Sequence, residues 1–315
     1  MAQNQVQFQK GLSILEFFQS YGNEEQCRAT LEKIHWPNGY VCQECGHSSY
    51  CYLKSRKVYQ CHRCHSQTSI TSGTVFHSTK LPLTKWFLAM YLLSQSKNGI
   101  SALELKRQIG VSYPTAFRLK HKLMQVMMER DRQKPLSGLI QADDAYLGGK
   151  RSGGKRGRGT KNKQPFLAAV KIDLKNHPRE VKLSAVKAFT KKDVGRWAEN
   201  NLSKEFSCVV TDGLSCFNAL KDIVSIHIAK TIGVGKKSTD DPAFKWVNTV
   251  LGNVKNSIKG TYHANRKVYA GRYLAEFEYR FNRRYNLAAI LPRLVYAAVT
   301  TPPLPGGLLK LAANC

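Results

Sequence analysis

The sequence predicts a multidomain α/β protein: a small cysteine-built module, then a group of short helices, then a mixed-sheet domain. Three observations predict it. Two Cys-x-x-Cys pairs, Cys42/Cys45 and Cys61/Cys64, are separated by fifteen residues. Apolar residues then recur at helical spacing as far as residue 130. Beyond residue 136, short apolar or alternating segments take turns with helical ones, the pattern of a sheet covered by helices. A length of 315 residues leaves room for two or three such domains.

Lys and Arg number 49 against 21 Asp and Glu, a formal charge of +28. A chain that repels itself this strongly is expected to work against a polyanion, and nucleic acid is the usual one. With 42% hydrophobic residues it is not a disordered basic tail. No apolar run approaches the ~18 residues of a transmembrane helix. The opening Met-Ala-Gln-Asn-Gln-Val lacks the charged and apolar regions of a signal peptide. The expected location is therefore cytoplasmic, with no membrane partner. There the nine cysteines stay reduced or bind metal instead of pairing as disulfides.

Residues 1–36 read as an N-terminal helical segment. Ser13 to Phe18 and Glu24 to Ile34 are amphipathic, and Phe17, Phe18 and Leu31 are expected to dock on more C-terminal parts of the chain. Residues 37–80 read as a zinc ribbon. Each Cys-x-x-Cys pair places two thiolates on a tight knuckle, two knuckles close a tetrahedral site, and the alternating stretch Ser49 to Tyr59 supplies short strands. Cys42, Cys45, Cys61 and Cys64 are the expected ligands. Four thiolates leave no open position, so the zinc is expected to be structural; a redox Cys-x-x-Cys needs only one pair. Cys51, His47, His62 and His65 lie close enough in sequence to substitute for one ligand.

Residues 81–130 read as a DNA-binding helix-turn-helix region. Trp86, Phe87, Met90, Tyr91 and Leu93 form an apolar stripe on a first helix, with Thr84 as its N-cap. Ser101 to Ile109 is a short helix and Gly110-Val111-Ser112 a tight turn. Tyr113 to Met128 is a second helix, capped by Ser112 and carrying Pro114 in its first turn. Thr115, Arg118, Lys120, His121 and Lys122 are the candidate DNA-facing residues. The alternative is a three-helix packing unit with a solvated basic face; the basic composition and the adjoining ribbon favour DNA.

Asp131 to Pro135, polar and closed by proline, marks the boundary to a domain spanning residues 136–300, with residues 301–315 as a tail of no assigned role. Its strands are Leu139 to Leu147, Phe166 to Asp173, Glu180 to Ala185, Ser207 to Thr211 and Ser225 to Ala229. Helices fall at Lys191 to Leu202 and Ser215 to Asp222. A last helix opens with Asp241 as N-cap and Pro242 at N1, and closes before Gly260. The order β-β-β-α-β-α-β-α is that of a ribonuclease-H-like mixed sheet, although order alone also fits other α/β folds.

Acidic residues are scarce, yet Asp143 and Asp144 sit side by side in an apolar strand and Asp212 ends another. In a ribonuclease-H-like sheet those strands are neighbours, so Asp143 and Asp212 converge. Carboxylates at such range repel unless a dication lies between them. That arrangement holds Mg²⁺ or Mn²⁺ for phosphoryl transfer, often as two ions ~4 Å apart. Strand alternation sends Asp144 to the opposite face, where it is expected to orient a neighbouring basic group. Taken alone, Thr211-Asp212-Gly213 is also ordinary turn chemistry.

Asp143-Asp144-Ala145-Tyr146-Leu147-Gly148-Gly149-Lys150 resembles Asp-Glu-x-Tyr-x-Gly-Gly-Lys, the first catalytic segment of bacterial insertion-sequence transposases with an N-terminal zinc ribbon, the ISXO-type members of the DDE/DDNK superfamily. Thr211-Asp212-Gly213 resembles their second segment. Val247-Asn248-Thr249 with Gly252, Lys255 and Gly260-Thr261-Tyr262-His263 resembles the third, and Arg272 to Arg284 the closing helix. With the cysteine pairs, the resemblance covers roughly residues 10–290. The chain departs from the common pattern at Asn248, where most DDE transposases carry Glu. Lys255 keeps the seven-residue spacing, two helical turns, so the two residues share a helix face that Gly252 keeps open. The resemblance implies the Asp-Asp-Asn-Lys variant: Asp143, Asp212 and Asn248 hold the metals and Lys255 contacts phosphate. Asn can bind Mg²⁺ through its amide oxygen, but it brings no charge and cannot act as a base. Glu276 on the closing helix either supplies a further carboxylate or pairs with Arg280 at i+4.

Lys150 to Lys163 holds seven basic residues and no acidic one. Beside the catalytic strand, Lys150, Arg151, Lys155, Arg156 and Arg158 are expected to clamp the phosphate backbone without reading sequence. Arg266 to Arg284, which mixes Arg with Tyr and Phe, can do the same. The resemblance implies a transposase that binds an element's terminal inverted repeats, hydrolyses a phosphodiester with Mg²⁺ and transfers the freed strand to target DNA. It also implies structural zinc, a bacterial, nucleoid-associated location and, as is usual in the family, a homodimer on DNA. Two other readings stay open: a catalytically decayed copy acting as a DNA-binding or regulatory protein, for which Asn248 is the discriminating residue, and a zinc-ribbon RNA-processing protein.

Overall fold

The computed structural model describes residue 6 and residues 8–132, 134–148, 163–231, 241–262 and 267–311. The chain divides into two compact units. One takes in the chain up to Ser96, Ile100–Val126 and Tyr285 through the last helix; the other takes in Lys97–Gly99 and Met127–Arg284.

The first unit opens with helices α1 (Ile14–Tyr21) and α2 (Glu24–His35), each started by a capping box, Ser13 with Glu16 and Asn23 with Gln26. Phe17 and Leu31 are buried, but Phe18 is 50% exposed. Adjacent side chains on a helix point about 100° apart, and here Phe17, against Tyr91, takes the core position. A three-stranded antiparallel sheet comes next: β1 (Tyr50–Leu53), β2 (Val58–Cys61) and β3 (Gln67–Thr68). Its inner face gathers Tyr50, Tyr52 and Tyr59 with Tyr40 and Trp36. Tyr59 donates to Glu32, and Arg28 donates to the Tyr52 hydroxyl at 2.6 Å, which fastens α2 to the sheet.

Helix α3 (Leu83–Gln95) buries the stripe read from the sequence, Trp86, Phe87, Met90, Tyr91 and Leu93. Thr84 does not cap it. Pro82 holds the N-cap position, and the Glu24 carboxylate accepts from the backbone N–H of Leu83 (2.7 Å) and Thr84 (3.0 Å). Helices α4 (Ala102–Ile109) and α5 (Tyr113–Arg132) are separated by a turn in which Gly110 is left-handed, φ 62° and ψ 55°. Ser112 accepts the Thr115 N–H at 3.4 Å, close to the capping role expected of it.

The second unit is a five-stranded sheet with helices on both faces. Its elements are β4 (Leu136–Leu147), β5 (Gln164–Ile172), β6 (Pro178–Ala185), α6 (Lys191–Asn201), β7 (Leu202–Asp212), a 3₁₀ segment Ser215–Asp222, β8 (Ile226–Lys230), α7 (Lys245–Thr261) and α8 (Ala270–Arg283). Strand order is β6-β5-β4-β7-β8. Pairs β4–β5 and β5–β6 are antiparallel, and β4–β7 and β7–β8 are parallel. One sheet face packs Ile140, Ala142, Leu167 and Val209 against Val194 and Trp197 of α6 and Phe217 of the 3₁₀ segment. The other is covered by α7, which buries Val247, Val250, Leu251, Val254 and Ile258.

The bounds of α7 differ from those expected. Asp241 caps the preceding turn, accepting the Ala243 N–H at 2.8 Å; the helix starts at Lys245, and Gly260 lies inside it. Helix α8 closes the β6 edge. Glu278 accepts the Leu183 N–H (2.8 Å), while Asn282 accepts the Val181 N–H (2.7 Å) and donates to its carbonyl (3.0 Å). Two side chains four apart on a helix thus satisfy alternate residues of an edge strand and block further pairing.

Helices α9 (Ile290–Thr300) and α10 (Gly306–Leu311) end the described chain and group with the first unit. Apolar α9 buries Ile290, Leu291, Leu294 and Val295, and it finds its core against α2 and α3. The unit boundary therefore falls after Arg284 instead of at residue 300. Leu304 and Leu309 are buried as well, so this stretch is not a loose end.

Candidate metal centres

Cys42 and Cys45 precede β1, Cys61 ends β2, and Cys64 lies three residues beyond it. The Sγ atoms of Cys42 and Cys64 are 3.5 Å apart and those of Cys45 and Cys61 are 3.6 Å apart, and all four lie within 4.8 Å of one another. A zinc–thiolate tetrahedron with bonds of about 2.3 Å has S–S edges of about 3.8 Å, so the spacing fits that ion. The backbone N–H groups of Cys45 and Glu44 hold the Cys42 thiol down at about 6, and those of Cys64 and Arg63 lower Cys61. The thiolate form is thereby favoured at Cys42 and Cys61 before any cation arrives. At Cys64 the Ser66 N–H is outweighed by the neighbouring Cys45, Cys42 and Cys61 thiols and by burial, which push it up to about 12. Among the described residues the cluster takes only these four. Of the possible substitutes, His62 is engaged with the Ser49 hydroxyl at 2.8 Å.

The second cluster is Asp143, Asp144 and Asp212, whose ligand oxygens lie within 4.8 Å of one another. Strands β4 and β7 run parallel, and their last register pair is Ala142 with Thr211. One residue further on, Asp143 and Asp212 stand at the C-terminal end of the pairing, where open α/β sheets form their crevice. The presence of Asp144 corrects the expectation that it turns away. Alternation holds along the strand up to this point, with Ile140 and Ala142 in one core and Gln141 toward α7. Just past the last β4–β7 pair the Asp143 carboxylate accepts the Asp144 N–H at 2.8 Å, and the two carboxylates lie in one cluster.

Burial pushes the Asp143 carboxyl up to about 7. The Asp144 N–H opposes this, the Asp144 and Asp212 charges add to it, and the Lys255 ammonium partly offsets them. An Asp143 carboxyl that resists ionisation, with two further half-buried carboxylates beside it, makes a site short of positive charge. A hard dication with oxygen ligands supplies it, and the donor set fits Mg²⁺ or Mn²⁺.

Gln141, two residues before Asp143 on the same face, is buried. Its Oε1 accepts the backbone N–H of Trp246 (3.0 Å) and Val247 (3.1 Å), and its Nε2 donates to the Pro242 carbonyl (3.4 Å). No side chain of α7 itself caps its N-terminus, so Gln141 does this from the sheet and pins the helix beside β4. Asn248 comes next in the helix and is half-buried; Lys255, two turns on, is exposed and acts on Asp143 through its charge. Sequence reasoning missed Gln141. Its signal was a polar residue in an apolar strand, the same oddity that picked out Asp143. A Cβ at Gly252 would meet nothing within 4 Å, so packing does not demand glycine there.

The other expected contact residues divide. Arg118 is exposed, and Thr115 is half-buried with its hydroxyl 2.9 Å from that of Ser112. Lys122 is half-buried, its ammonium 3.5 Å from the Val75 carbonyl and over the Trp86 ring. Lys120 and His121 do not face outward: they are 1% and 2% exposed, and Lys120 donates to the Ile100 carbonyl. The arginines of α8 are also used internally. Arg272 and Arg280 are buried, Arg280 pairs with Glu276 at 2.7 Å, and Arg283 pairs with Asp131 at 2.6 Å. Glu276 is thus the partner of Arg280 and no part of the carboxylate cluster. Lys150, Arg151, Lys155, Arg156 and Arg158 lie outside the described residues.

Residues 135–282 match the family described as ISXO2-like transposase domain, and residues 22–67 match the transposase zinc-ribbon domain. Over 219 residues the chain is 27% identical to a protein of Halobacterium salinarum described as "Uncharacterized protein in transposable element ISH50", covering 64% of this chain and 72% of that one. Two solved structures also match, the Mos1 strand transfer complex and a pre-cleavage Mos1 transpososome. The first is 10% identical, covers 63% of this chain and 76% of that one, and has a TM-score of 0.21. The second is 9% identical, covers 63% and 77%, and has a TM-score of 0.20. Scores this low do not define a shared fold.

Proposed function

We propose that the chain, which matches the ISXO2-like transposase domain over residues 135–282 and the transposase zinc ribbon over residues 22–67, belongs with the insertion-sequence transposases that combine them, and that it cleaves DNA at an element end and joins the freed strand to target DNA. The observation that carries this reading is the cluster of Asp143, Asp144 and Asp212 at the C-terminal end of the β4–β7 pair. The strand order, three antiparallel strands followed by two parallel ones, supports a ribonuclease-H-like catalytic domain.

In this reading Asp143 and Asp212 are metal ligands, and Asn248 adds a neutral amide oxygen. Asp144 supplies the third carboxylate that Asn248 does not. Bound Mg²⁺ or Mn²⁺ would activate the attacking oxygen and stabilise the leaving one. Asp143, whose carboxyl burial pushes up to about 7 with the Asp144 and Asp212 charges adding to it, would be held ionised by a bound dication. Lys255, exposed on the adjoining helix, is suited to a phosphate oxygen of the scissile strand. Gln141 is a positioning residue, holding the helix that carries Asn248 and Lys255.

The α4–turn–α5 pair with exposed Arg118 supports a helix-turn-helix contact with DNA, and the charge of +28 supports a duplex partner. Zinc at the four cysteines would be structural, since no ligand position stays open. Among the described residues no helix is long and apolar enough to cross a membrane. A cytoplasmic, nucleoid-associated enzyme working as a homodimer on two element ends completes the proposal. The test is Asp143→Ala in the full chain: strand cleavage in Mg²⁺ is expected to vanish while duplex binding persists. Undiminished cleavage would overturn the assignment.

A further inference from the structure

One surface of the ribbon sheet has no part in that reading: the face turned away from its tyrosines. The register puts Tyr50, Tyr52, Tyr59 and Cys61 on one face and Cys51, Leu53, Val58 and Gln60 on the other, with Gln67 opposite Gln60. On this outer face three polar side chains are joined in a row across the sheet. Arg56 Nη1 donates to Gln67 Oε1 (3.3 Å), and Gln67 Nε2 donates to Gln60 Oε1 (2.9 Å). Arg56 and Gln67 are exposed and Gln60 is half-buried. The turn joining β1 to β2, Lys54-Ser55-Arg56-Lys57, is exposed throughout, and from Ser48 to Lys80 the chain contains no Asp or Glu.

We propose that this face reads double-stranded DNA, with Gln60, Gln67 and Arg56 meeting base edges and Lys54 and Lys57 meeting phosphates. The inference rests on the transposase reading and deepens it by naming the surface that recognises sequence. The major groove, about 12 Å wide, admits a two-stranded ribbon whose strands lie about 4.8 Å apart. A glutamine amide offers a donor and an acceptor side by side, which matches adenine, and the arginine fork matches guanine. The mutual hydrogen bonds hold the two amides and the guanidinium in place, so less rotamer freedom is lost on contact. The helix pair is poorer in such groups. Of its five candidates, Lys120 and His121 are buried and Lys122 is half-buried. The four-cysteine cluster, which includes the last residue of β2, would fix the hairpin as a rigid finger.

The test is selection by the full-length, zinc-loaded chain from a randomised pool of duplex DNA, followed by sequencing of the bound fraction. The double variant Gln60→Ala/Gln67→Ala is expected to lose preference at adjacent base pairs, discrimination falling about tenfold or more, while binding to unselected duplex stays near wild type. Lys54→Ala/Lys57→Ala is expected to keep the preference and weaken every duplex, its salt slope smaller by about two. Zinc content and far-UV circular dichroism equal to wild type establish that each variant is folded. Gln67→Ala alone, on exposed β3, is the milder variant should the double one fail to fold. An unchanged preference at every position, with binding intact, overturns this inference and leaves the transposase reading standing. Failure of the wild-type chain to bind any duplex overturns both.

Discussion

Replacing Asp143 by Asn is expected to stabilise the protein in the absence of divalent metal and to remove most of its response to Mg²⁺. Burial and the charges of Asp144 and Asp212 push this carboxyl from 3.8 up to about 7. The unfolded chain ionises near its ordinary value while the folded chain resists, so folding loses stability as pH rises from about 4 to about 7, and the full penalty applies above that. The difference corresponds to at most about 4 kcal/mol. Solvent at a half-buried group screens it to about 2 kcal/mol, or roughly 5 °C for a unit of this size. Asn retains an oxygen to accept the Asp144 N–H, now 2.8 Å from Asp143, so no hydrogen bond is lost. Thermal denaturation in Mg²⁺-free buffer measures the effect. The variant should melt higher near pH 8, the gain should shrink toward pH 4, and added Mg²⁺ should raise the wild type more than the variant. A variant that melts at or below wild type near pH 8, or that gains as much from Mg²⁺, refutes the reasoning.

Gln141→Leu leaves two backbone N–H groups of α7 without their acceptor and should cost about 2–4 kcal/mol in stability; cleavage should fall with duplex affinity unchanged, and equal loss of both would show a merely structural effect. Metal analysis of the reduced protein should give one zinc per chain at the four-cysteine cluster, and Cys61→Ser should lose it; a substoichiometric wild type would count against the ribbon site. Asn248→Glu should leave end cleavage within a few-fold of wild type, on the order of 1 kcal/mol in barrier, whereas activity appearing only in the variant would favour a decayed copy.

The cysteine spacing, the strand segments and the pairing of Asp143 with Asp212 were readable because each depends on local pattern: knuckle geometry, side-chain alternation, and charge where none is expected. What the pattern could not carry were contacts between segments distant in sequence. Helix α3 is capped by Glu24 and α7 by Gln141, so Thr84 and Asp241, good caps on local grounds, are not used as such. Lys120 and His121 looked exposed because they are polar, but they lie on the buried side of α5. The apolar helix α9 read as a continuation of the sheet domain, yet it groups with the N-terminal unit. Strand alternation alone would turn Asp144 away from Asp143, and a single backbone hydrogen bond just past the last β4–β7 pair accompanies its place in the cluster.

The most direct measurement is the chemistry of the ends the wild-type chain produces. A labelled duplex carrying the element's terminal repeat is incubated with the full-length protein in Mg²⁺ or Mn²⁺, and the strand termini are resolved on a denaturing gel. A DDE-type metal site at Asp143, Asp144 and Asp212 predicts a metal-dependent nick at the element end that leaves a 3′-hydroxyl, absent from Asp143→Ala and Asp212→Ala. A duplex that is bound but never nicked in either metal, or a nick that survives both substitutions, would contradict it.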